Sequence, residues 1–251
     1  MTPLLEIRNL TKTFGGLNVT NDLSLELHTG DRVALIGPNG AGKTTFVNLV
    51  TGALKPDSGR VSLDGKDITP ARPTERVKQG LVRSFQVTRL FKEMTPEEHI
   101  ASAVLQRTGR AGRMFGRHDR MPDVMAEVRD ILSLLHLSEF ADIRVRQIAY
   151  GQQRLLELAI ALALRPRILL LDEPAAGIPH AQTGLIERAL ERLPVELAVL
   201  MIDHDMDLVF RFAKRVIVLA AGSIIFDGPP QAVAQDARVR EAYLGNYAHA
   251  G

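Results

Sequence analysis

Leucine at every second position is the first clear pattern along the chain. Leu23, Leu25 and Leu27 alternate with polar residues, which is the two-residue period of a half-buried β-strand. Val61-Ser62-Leu63, followed by Asp64-Gly65, predicts another strand and a turn. Because no long helical pattern precedes residue 70, we expect antiparallel strands in this part of the chain.

Between about residues 90 and 160 the spacing changes to that of amphipathic helices. One apolar face, in a helix that starts near Pro122, comprises Val124, Val128, Ile131, Leu132 and Leu135. A second comprises Leu155, Leu158, Ala159, Leu162 and Ala163. This stretch therefore predicts a mainly helical region.

The last third of the chain alternates short apolar runs with helical stretches. The runs at 168–171, 198–202 and 216–219 are typical of buried strands. Their separation by helices predicts a parallel sheet of the doubly wound α/β type. Ala221-Gly222-Ser223 then predicts a turn into a small hairpin with Ile224-Ile225-Phe226.

A phosphate-binding loop directly follows the apolar run Val33-Ala34-Leu35-Ile36. Its residues are Gly37, Pro38, Asn39, Gly40, Ala41, Gly42, Lys43, Thr44 and Thr45. The order strand, glycine-rich turn and helix lets successive backbone N–H groups point at phosphate oxygens. Lys43 would reach the β- and γ-phosphates, and the Thr44 hydroxyl would bind Mg²⁺. The sequence therefore predicts binding of a nucleoside triphosphate.

Two acidic residues follow the apolar run at 168–171. Asp172 stands where a carboxylate supports Mg²⁺ beside a phosphate-binding loop. Glu173 could accept a hydrogen bond from the attacking water. Such a pair can also be a helix cap or a turn, but its place behind a strand favours ATP hydrolysis. His204 follows the next strand and could contact the γ-phosphate, although a lone histidine is often an ordinary surface or core group.

Composition narrows the setting. The chain has 251 residues, 45% of them apolar, which fits one large domain or a domain with an inserted subdomain. It contains no cysteine, which excludes disulfides and agrees with a cytosolic location. The longest apolar run, Leu158 to Leu164, is far shorter than a membrane span, and no signal segment follows Met1. We therefore expect a soluble chain whose membrane role comes through partners.

The motifs together resemble the ATP-binding cassette (ABC) family over essentially the whole chain. The phosphate loop and Leu170–Pro174 are two of these motifs. Ser84-Phe85-Gln86 is similar to the family's Q-loop, and Ile148–Arg154 is similar to its signature motif. Ile202–Asp205 resembles the switch-histidine motif, and Phe14 stands where an aromatic ring stacks on adenine. The resemblance implies an α/β P-loop ATPase with a mixed sheet core and an antiparallel β subdomain. Residues 1–88 and 160–251 would form the core, and residues 89–159 an inserted helical subdomain.

The resemblance also implies a mechanism. Two copies, or this chain and a sister ATPase, would pair head to tail with each ATP between one phosphate loop and the partner's signature. The signature residues are Ala149, Tyr150, Gly151 and Gln152. Gln86 would contact the metal or the water, Glu173 would polarise the water and His204 would hold the γ-phosphate. The implied ligands of Mg²⁺ are Thr44, Gln86 and Asp172.

Further motifs resemble one branch, the ATP-binding subunits of bacterial high-affinity branched-chain amino acid importers. They include Phe14–Leu17, Ala149–Gln153 and the tail Ala242–Gly245. The implied partners are integral membrane permease subunits and, indirectly, a periplasmic solute-binding protein, with the chain peripheral on the cytoplasmic face of the inner membrane. Alternatives are a urea or amide importer, a lipopolysaccharide-export ATPase, or a soluble non-transport ABC protein.

Two positions depart from the family pattern. Ala149 replaces the usual signature serine, which removes a hydroxyl donor to the partner's γ-phosphate. Pro179 stands where the family usually has an aspartate, and it is followed by His180. The stretch Arg107–Arg120 is interrupted by glycines, so we expect a solvated loop, with contact to anionic lipid headgroups or to a partner subunit as the alternative. It lacks aromatic stacking residues, and therefore we expect no nucleic acid partner.

Overall fold

The computed structural model describes residues 2–84, 90–111, 121–179 and 183–244. The chain divides into two compact units. Unit 1 comprises Met1–Leu81, Arg167–Glu173 and Val195–Gly251, and unit 2 comprises Val82–Pro166 and Pro174–Pro194. The predicted helical subdomain, residues 89–159, lies within the bounds of unit 2, which extends further at both ends and also includes residues 174–194.

An antiparallel sheet forms the first layer of unit 1. Its strands are β1 (Leu5–Phe14), β2 (Leu17–Leu27), β4 (Ser58–Leu63) and β5 (Lys66–Asp67), in the order β2-β1-β4-β5. Leu5 lies opposite Leu27 on one side and Leu63 on the other. Leu23, Leu25 and Leu27 are buried while the residues between them are exposed, so the predicted alternation is confirmed.

The second sheet is mostly parallel. Its strands are β3 (Arg32–Ile36), β6 (Leu81–Arg83), β7 (Ile168–Asp172), β8 (Ala198–Ile202), β9 (Arg215–Ala220) and β10 (Ser223–Gly228). Their order is β10-β9-β3-β8-β7-β6. β3 pairs in parallel with β8 and β9, and β10 closes the edge as the predicted antiparallel hairpin. The carboxyl ends of β3, β7 and β8 meet at one edge, which is where α/β sheets bind ligands.

Among its described residues, unit 1 has five helices. They are α1 (Lys43–Thr51), α2 (Pro73–Lys78), α7 (Met206–Phe212), α8 (Pro230–Val233) and α9 (Ala237–Leu244). The buried face of α1 carries Phe46 and Leu49, which join a core with Leu35 and Leu200 of the parallel sheet. Full burial of such a side chain stabilises the fold by about 1.5–3 kcal/mol. The core therefore fixes α1, and with it the loop that precedes it.

A buried arginine holds the far end of α1. Arg76, on α2, is only 1% exposed, and its guanidinium donates to the carbonyl oxygens of Leu49 at 2.9 Å and Val50 at 2.6 Å. It also donates to Thr69 at 2.8 Å and Ala71 at 3.1 Å. The carbonyl groups in the last turn of a helix lack i+4 partners within the helix, and the guanidinium supplies donors to them in addition to the Gly52 N–H that bonds Leu49 at 3.2 Å.

Unit 2 is helical, as the periodicity predicts. Its helices are α3 (Pro96–Arg107), α4 (Pro122–Leu134), α5 (Tyr150–Ala163) and α6 (Thr183–Glu191). α3 begins at a capping box in which the Thr95 hydroxyl accepts from the Glu98 N–H, and the Glu98 carboxylate accepts from the Thr95 N–H. No helix in the described parts of the chain is long and apolar enough to cross a membrane.

The arginine-rich stretch begins where α3 ends. α3 stops at Arg107, before Gly109, which has a φ of +70°. Arg107 pairs with Glu127 at 2.7 Å and Arg110 with Asp123 at 2.5 Å. The remaining arginines of this stretch, Arg113, Arg117 and Arg120, lie outside the described residues. The two arginines that the structure describes are thus part of the packing of unit 2.

Candidate functional site

The phosphate-binding loop joins the central strand β3 to α1 in unit 1. Its first residue, Gly37, is buried, whereas Asn39 and Gly40 at its tip are exposed. Pro38 is half-buried, Ala41 is buried, and the Ala41 N–H donates to the Pro38 carbonyl oxygen at 3.2 Å. The predicted order of strand, glycine turn and helix is present.

Two glycines of the loop are required by close backbone contacts. A Cβ on Gly37 would overlap the carbonyl oxygen of Leu219 on β9. A Cβ on Gly42 would overlap the carbonyl oxygen of Val19 on β2, and the φ of Gly42 is +103°. Strands β2 and β9 therefore form a surface against which only a glycine backbone fits.

Lys43 folds back over this loop. Its Nζ donates to the carbonyl oxygens of Gly37 at 2.5 Å and Pro38 at 3.0 Å. Burial lowers the pKa of Lys43, while the nearby carboxylates of Glu173 and Asp172 act in the opposite direction. The ammonium group thus bonds the loop and is within electrostatic range of both acidic residues.

The first turn of α1 is suited to an anion. It begins after Gly42, which has no side chain to cap the helix, and it contains no acidic residue. Its free N–H groups and the positive end of the helix dipole favour negative charge. Thr44 is exposed and Thr45 half-buried in this turn, so the Thr44 hydroxyl is available to a ligand.

Asp172 and Glu173 extend from the end of β7. Asp172 is 5% exposed, and Glu173 donates its N–H to the carbonyl oxygen of Ile202 on β8 at 2.8 Å. Glu173 has a φ of +48°, a conformation that is unfavourable for a residue with a side chain. Backbone strain of this kind is concentrated at functional sites.

His204 follows β8 and approaches Glu173. Its Nδ1 lies 3.5 Å from Glu173 Oε1 and 3.8 Å from Asp203 Oδ1, and its side chain is 75% exposed. The structure therefore brings the predicted Lys43, Asp172, Glu173 and His204 to one edge of the sheet.

Phe14 ends β1 and is 48% exposed. The Nζ of Lys12 lies 5.6 Å from the centre of its ring, and Lys12 pairs with Asp57 at 2.6 Å. An exposed aromatic face beside a cation suits a stacked base. The sequence predicts Phe14 as a stacking residue, and that role stays a prediction. Nothing in the sequence links Lys12 to it, because the partner of Lys12, Asp57, is 45 residues away along the chain.

The signature residues lie in unit 2, where they start helix α5. Ala149 is the N-cap and offers no side-chain hydrogen bond, while Gly151 is buried. The Tyr150 hydroxyl donates to the carbonyl oxygen of Ala176 at 3.3 Å, and the Tyr150 ring packs on Gly177. The Oε1 atom of Gln152 is buried and has no hydrogen-bond partner among the described residues. The helix N-terminus at Tyr150 is thus braced against the loop that follows Glu173.

Other sequence predictions have different outcomes. Gln86, the proposed contact to metal or water, lies outside the described residues, as does His180. Pro179 is described and exposed. Tyr243 on α9 was noted only as part of a tail motif, yet it accepts a hydrogen bond from the Gly37 backbone, and burial raises the pKa of its hydroxyl.

The sequence is similar to known ATP-binding proteins of transporters. Residues 20–176 match the ABC transporter family, and residues 223–249 match the branched-chain amino acid ATP-binding cassette transporter family. The chain is 39% identical to the high-affinity branched-chain amino acid transport ATP-binding protein BraF of Pseudomonas aeruginosa, covering 97% of this chain and 98% of BraF. It is 36% identical to the corresponding protein LivG of Escherichia coli K12, over 97% and 98% of the two chains.

Solved structures show the same architecture. The ADP conformation of an ATP-binding cassette from an ABC transporter matches with a TM-score of 0.82 and 30% identity, covering 98% of this chain and all of that one. Another ABC transporter cassette, solved without nucleotide, matches with a TM-score of 0.82 over 96% of this chain. The predicted fold class is confirmed.

Proposed function

The chain belongs to the ABC transporter family of ATP-binding proteins, and from this premise we propose that it hydrolyses ATP to drive import of branched-chain amino acids. The observation that carries the proposal is the meeting of Lys43, Asp172, Glu173 and His204 at one sheet edge. Branched-chain amino acids are proposed as the cargo because BraF and LivG, which the chain matches over nearly their whole length, are named as branched-chain amino acid transport proteins.

Each residue at this edge has a chemical task in the proposal. The loop N–H groups and Lys43 bind the β- and γ-phosphates. Glu173 accepts a proton from the attacking water and orients it toward the γ-phosphate. His204 holds the γ-phosphate, and Phe14 stacks on the adenine. Nucleotide binding would turn Lys43 from the loop carbonyls toward phosphate.

The oxygen donors at the site suit Mg²⁺. Thr44 offers an exposed hydroxyl and Asp172 a buried carboxylate, and Mg²⁺ prefers a few such ligands together with phosphates and water. Gln86 is the third proposed ligand. When bound, Mg²⁺ would neutralise charge on the β- and γ-phosphates.

ATP would also join two protomers. The N-terminus of α5 carries Ala149, Tyr150, Gly151 and Gln152, and it offers backbone N–H groups to the γ-phosphate bound by the partner. Loss of that phosphate on hydrolysis would open the pair, which is a ligand-biased two-state switch. The pair is a homodimer or a heterodimer with a sister ATPase.

Transport itself requires other chains. We propose that permease subunits in the inner membrane bind this chain on their cytoplasmic side and that a periplasmic solute-binding protein supplies the cargo. The experiment that tests this starts with the tagged chain purified from native membranes in mild detergent. Proteins that accompany it are identified by mass spectrometry. Lys43→Ala is the matched variant, because it keeps the phosphate-binding loop but lacks the ammonium group that binds phosphate.

The purified complex is then placed in vesicles that contain ATP. We expect ATP-dependent uptake of labelled leucine. The Lys43→Ala substitution should abolish this uptake, and an excess of unlabelled urea should not inhibit it. Uptake of urea or an amide, or extraction of lipopolysaccharide, would replace the cargo assignment while leaving the ATPase role. Recovery with ribosomes and no membrane protein would refute the transport role altogether.

A further inference from the structure

Asp203 is a buried carboxylate at the site that the mechanism above does not use. It is 3% exposed and lies between β8 and α7. Its Oδ1 accepts the N–H of His204 at 2.7 Å and the N–H of Asp205 at 2.9 Å. Its Oδ2 is buried and has no hydrogen-bond partner in the described part of the chain. An acidic residue in such surroundings is unfavourable unless it performs a task that an apolar residue could not.

The turn that holds His204 is fixed on both sides. On one side, β8 pairs with β7 up to Asp172 and Ile202. On the other, the Asp205 carboxylate caps α7 by accepting the N–H groups of Asp207 at 3.0 Å and Leu208 at 3.2 Å. Between these two anchors, the Asp203 carboxylate accepts the backbone N–H of His204 at 2.7 Å. The position of the His204 Cα therefore depends on the Asp203 carboxylate.

The imidazole itself also faces this carboxylate. His204 Nδ1 lies 3.8 Å from Asp203 Oδ1 and 3.5 Å from Glu173 Oε1, so two carboxylates flank the same ring nitrogen. Nε2, the other ring nitrogen, is therefore the one left for a ligand. The side chain is 75% exposed, so little packing restricts the ring, and these two carboxylates lie within 4 Å of Nδ1.

We propose that Asp203 is the positioning residue of His204: it fixes the turn through the backbone and, with Glu173, holds Nδ1 so that Nε2 is presented to the γ-phosphate. This inference depends on the proposed role of His204 in ATP hydrolysis. It does not depend on the cargo. Burial raises the pKa of Asp203, and the bonds from the His204 and Asp205 backbone act in the opposite direction.

The test compares two substitutions of Asp203 with a control. Asp203→Asn retains an oxygen for the two backbone bonds but loses the charge beside Nδ1, whereas Asp203→Ala loses both. Asp207→Asn, an exposed residue on the first turn of α7, is the matched control. Steady-state ATP hydrolysis by the full chain with Mg²⁺ gives kcat and KM, and thermal unfolding gives Tm.

We expect Asp203→Asn to lower kcat about tenfold, with KM and Tm unchanged, because the weakened contact is to a charged group. Asp203→Ala should lower kcat to the level of His204→Ala. Asp207→Asn should match the wild type. A KM change with constant kcat, or an equal effect of the control, would overturn the inference.

A double-mutant cycle separates positioning from general structure. If Asp203 acts through His204, Asp203→Asn has no further effect in the His204→Ala background. Multiplied losses in the double variant would contradict the proposal, and so would a wild-type rate for His204→Ala alone. If the double-mutant cycle gives the expected result but the complex does not take up leucine, only the cargo assignment of the proposed function is rejected.

Discussion

Arg76→Met should be among the most destabilising single substitutions outside the nucleotide site. The arginine is 1% exposed and donates to four backbone carbonyl groups at 2.6–3.1 Å. Two of them, of Leu49 and Val50, belong to the last turn of α1, where Leu49 also accepts the N–H of the C-cap residue Gly52 at 3.2 Å. Methionine retains most of the apolar stem but none of the N–H groups.

The expected loss follows from counting these carbonyl groups. Each buried acceptor that loses its donor costs about 1–3 kcal/mol. Water that enters the space left by the guanidinium satisfies part of them, so we expect the free energy of unfolding to fall by about 3–5 kcal/mol. The stability of Arg76→Lys should lie between those of Arg76→Met and the wild type, since one ammonium group cannot reach four acceptors in the planar arrangement of a guanidinium.

Arg72→Met is the matched control. Arg72 lies four residues earlier, precedes the same helix, and pairs with Glu75 at 2.8 Å with its side chain 79% exposed. A pair of this kind contributes only about 0.2–1 kcal/mol. The two variants thus remove the same chemical group from a buried and an exposed position.

Urea unfolding followed by circular dichroism measures the difference, and thermal scans give an independent value. For a chain of this size, 1 kcal/mol corresponds to about 2–4 °C in Tm, so Arg76→Met should unfold about 10 °C lower. If Arg76→Met lies within about 1 kcal/mol of the wild type, or if Arg72→Met loses as much, the carbonyl-capping argument is wrong.

Three further predictions concern the nucleotide. Lys43→Ala should abolish saturable ATP binding in a fluorescence titration, and retained affinity would show that Lys43 does not bind phosphate. Glu173→Gln should slow hydrolysis by about 10²–10⁴-fold and trap an ATP-bound dimer in size-exclusion chromatography, whereas a wild-type rate would reject Glu173 as the general base. Gly42→Ala should weaken ATP affinity at least about tenfold, because its methyl group overlaps the Val19 carbonyl oxygen. Gly65→Ala has a similar φ, of +72°, but open space around it, so it should bind ATP normally, and equal loss in both would refute the overlap argument.

Local patterns in the sequence predicted most of the fold. The alternating leucines of β2 and the apolar run of β8 were assigned correctly, because period and length depend on neighbouring residues alone. The phosphate-loop residues were also found from spacing. Their binding roles remain predictions until the nucleotide experiments are done.

Contacts between distant segments could not be predicted in this way. Nothing near Arg76 in the sequence distinguishes it from Arg72, yet one is buried against α1, which is 25–33 residues earlier, and the other is exposed. The positive φ of Glu173 follows from its bond to Ile202, and the brace between Tyr150 and Ala176 joins residues that no short motif links. These features depend on tertiary structure, which a single sequence read locally does not contain.

The hairpin between β1 and β2 also limits how the chain can change in length. It carries Phe14 at the end of β1 and Val19, whose carbonyl oxygen lies against Gly42, only five positions later. Surface hairpins usually accept insertions. Here Phe14 pairs with Leu17 across a turn of only Gly15 and Gly16, and the register of a hairpin is fixed by the length of its turn. The side chain at exposed Leu17 can therefore change freely, whereas a change in the number of residues would alter the strand pairing that sets Val19 against the phosphate loop.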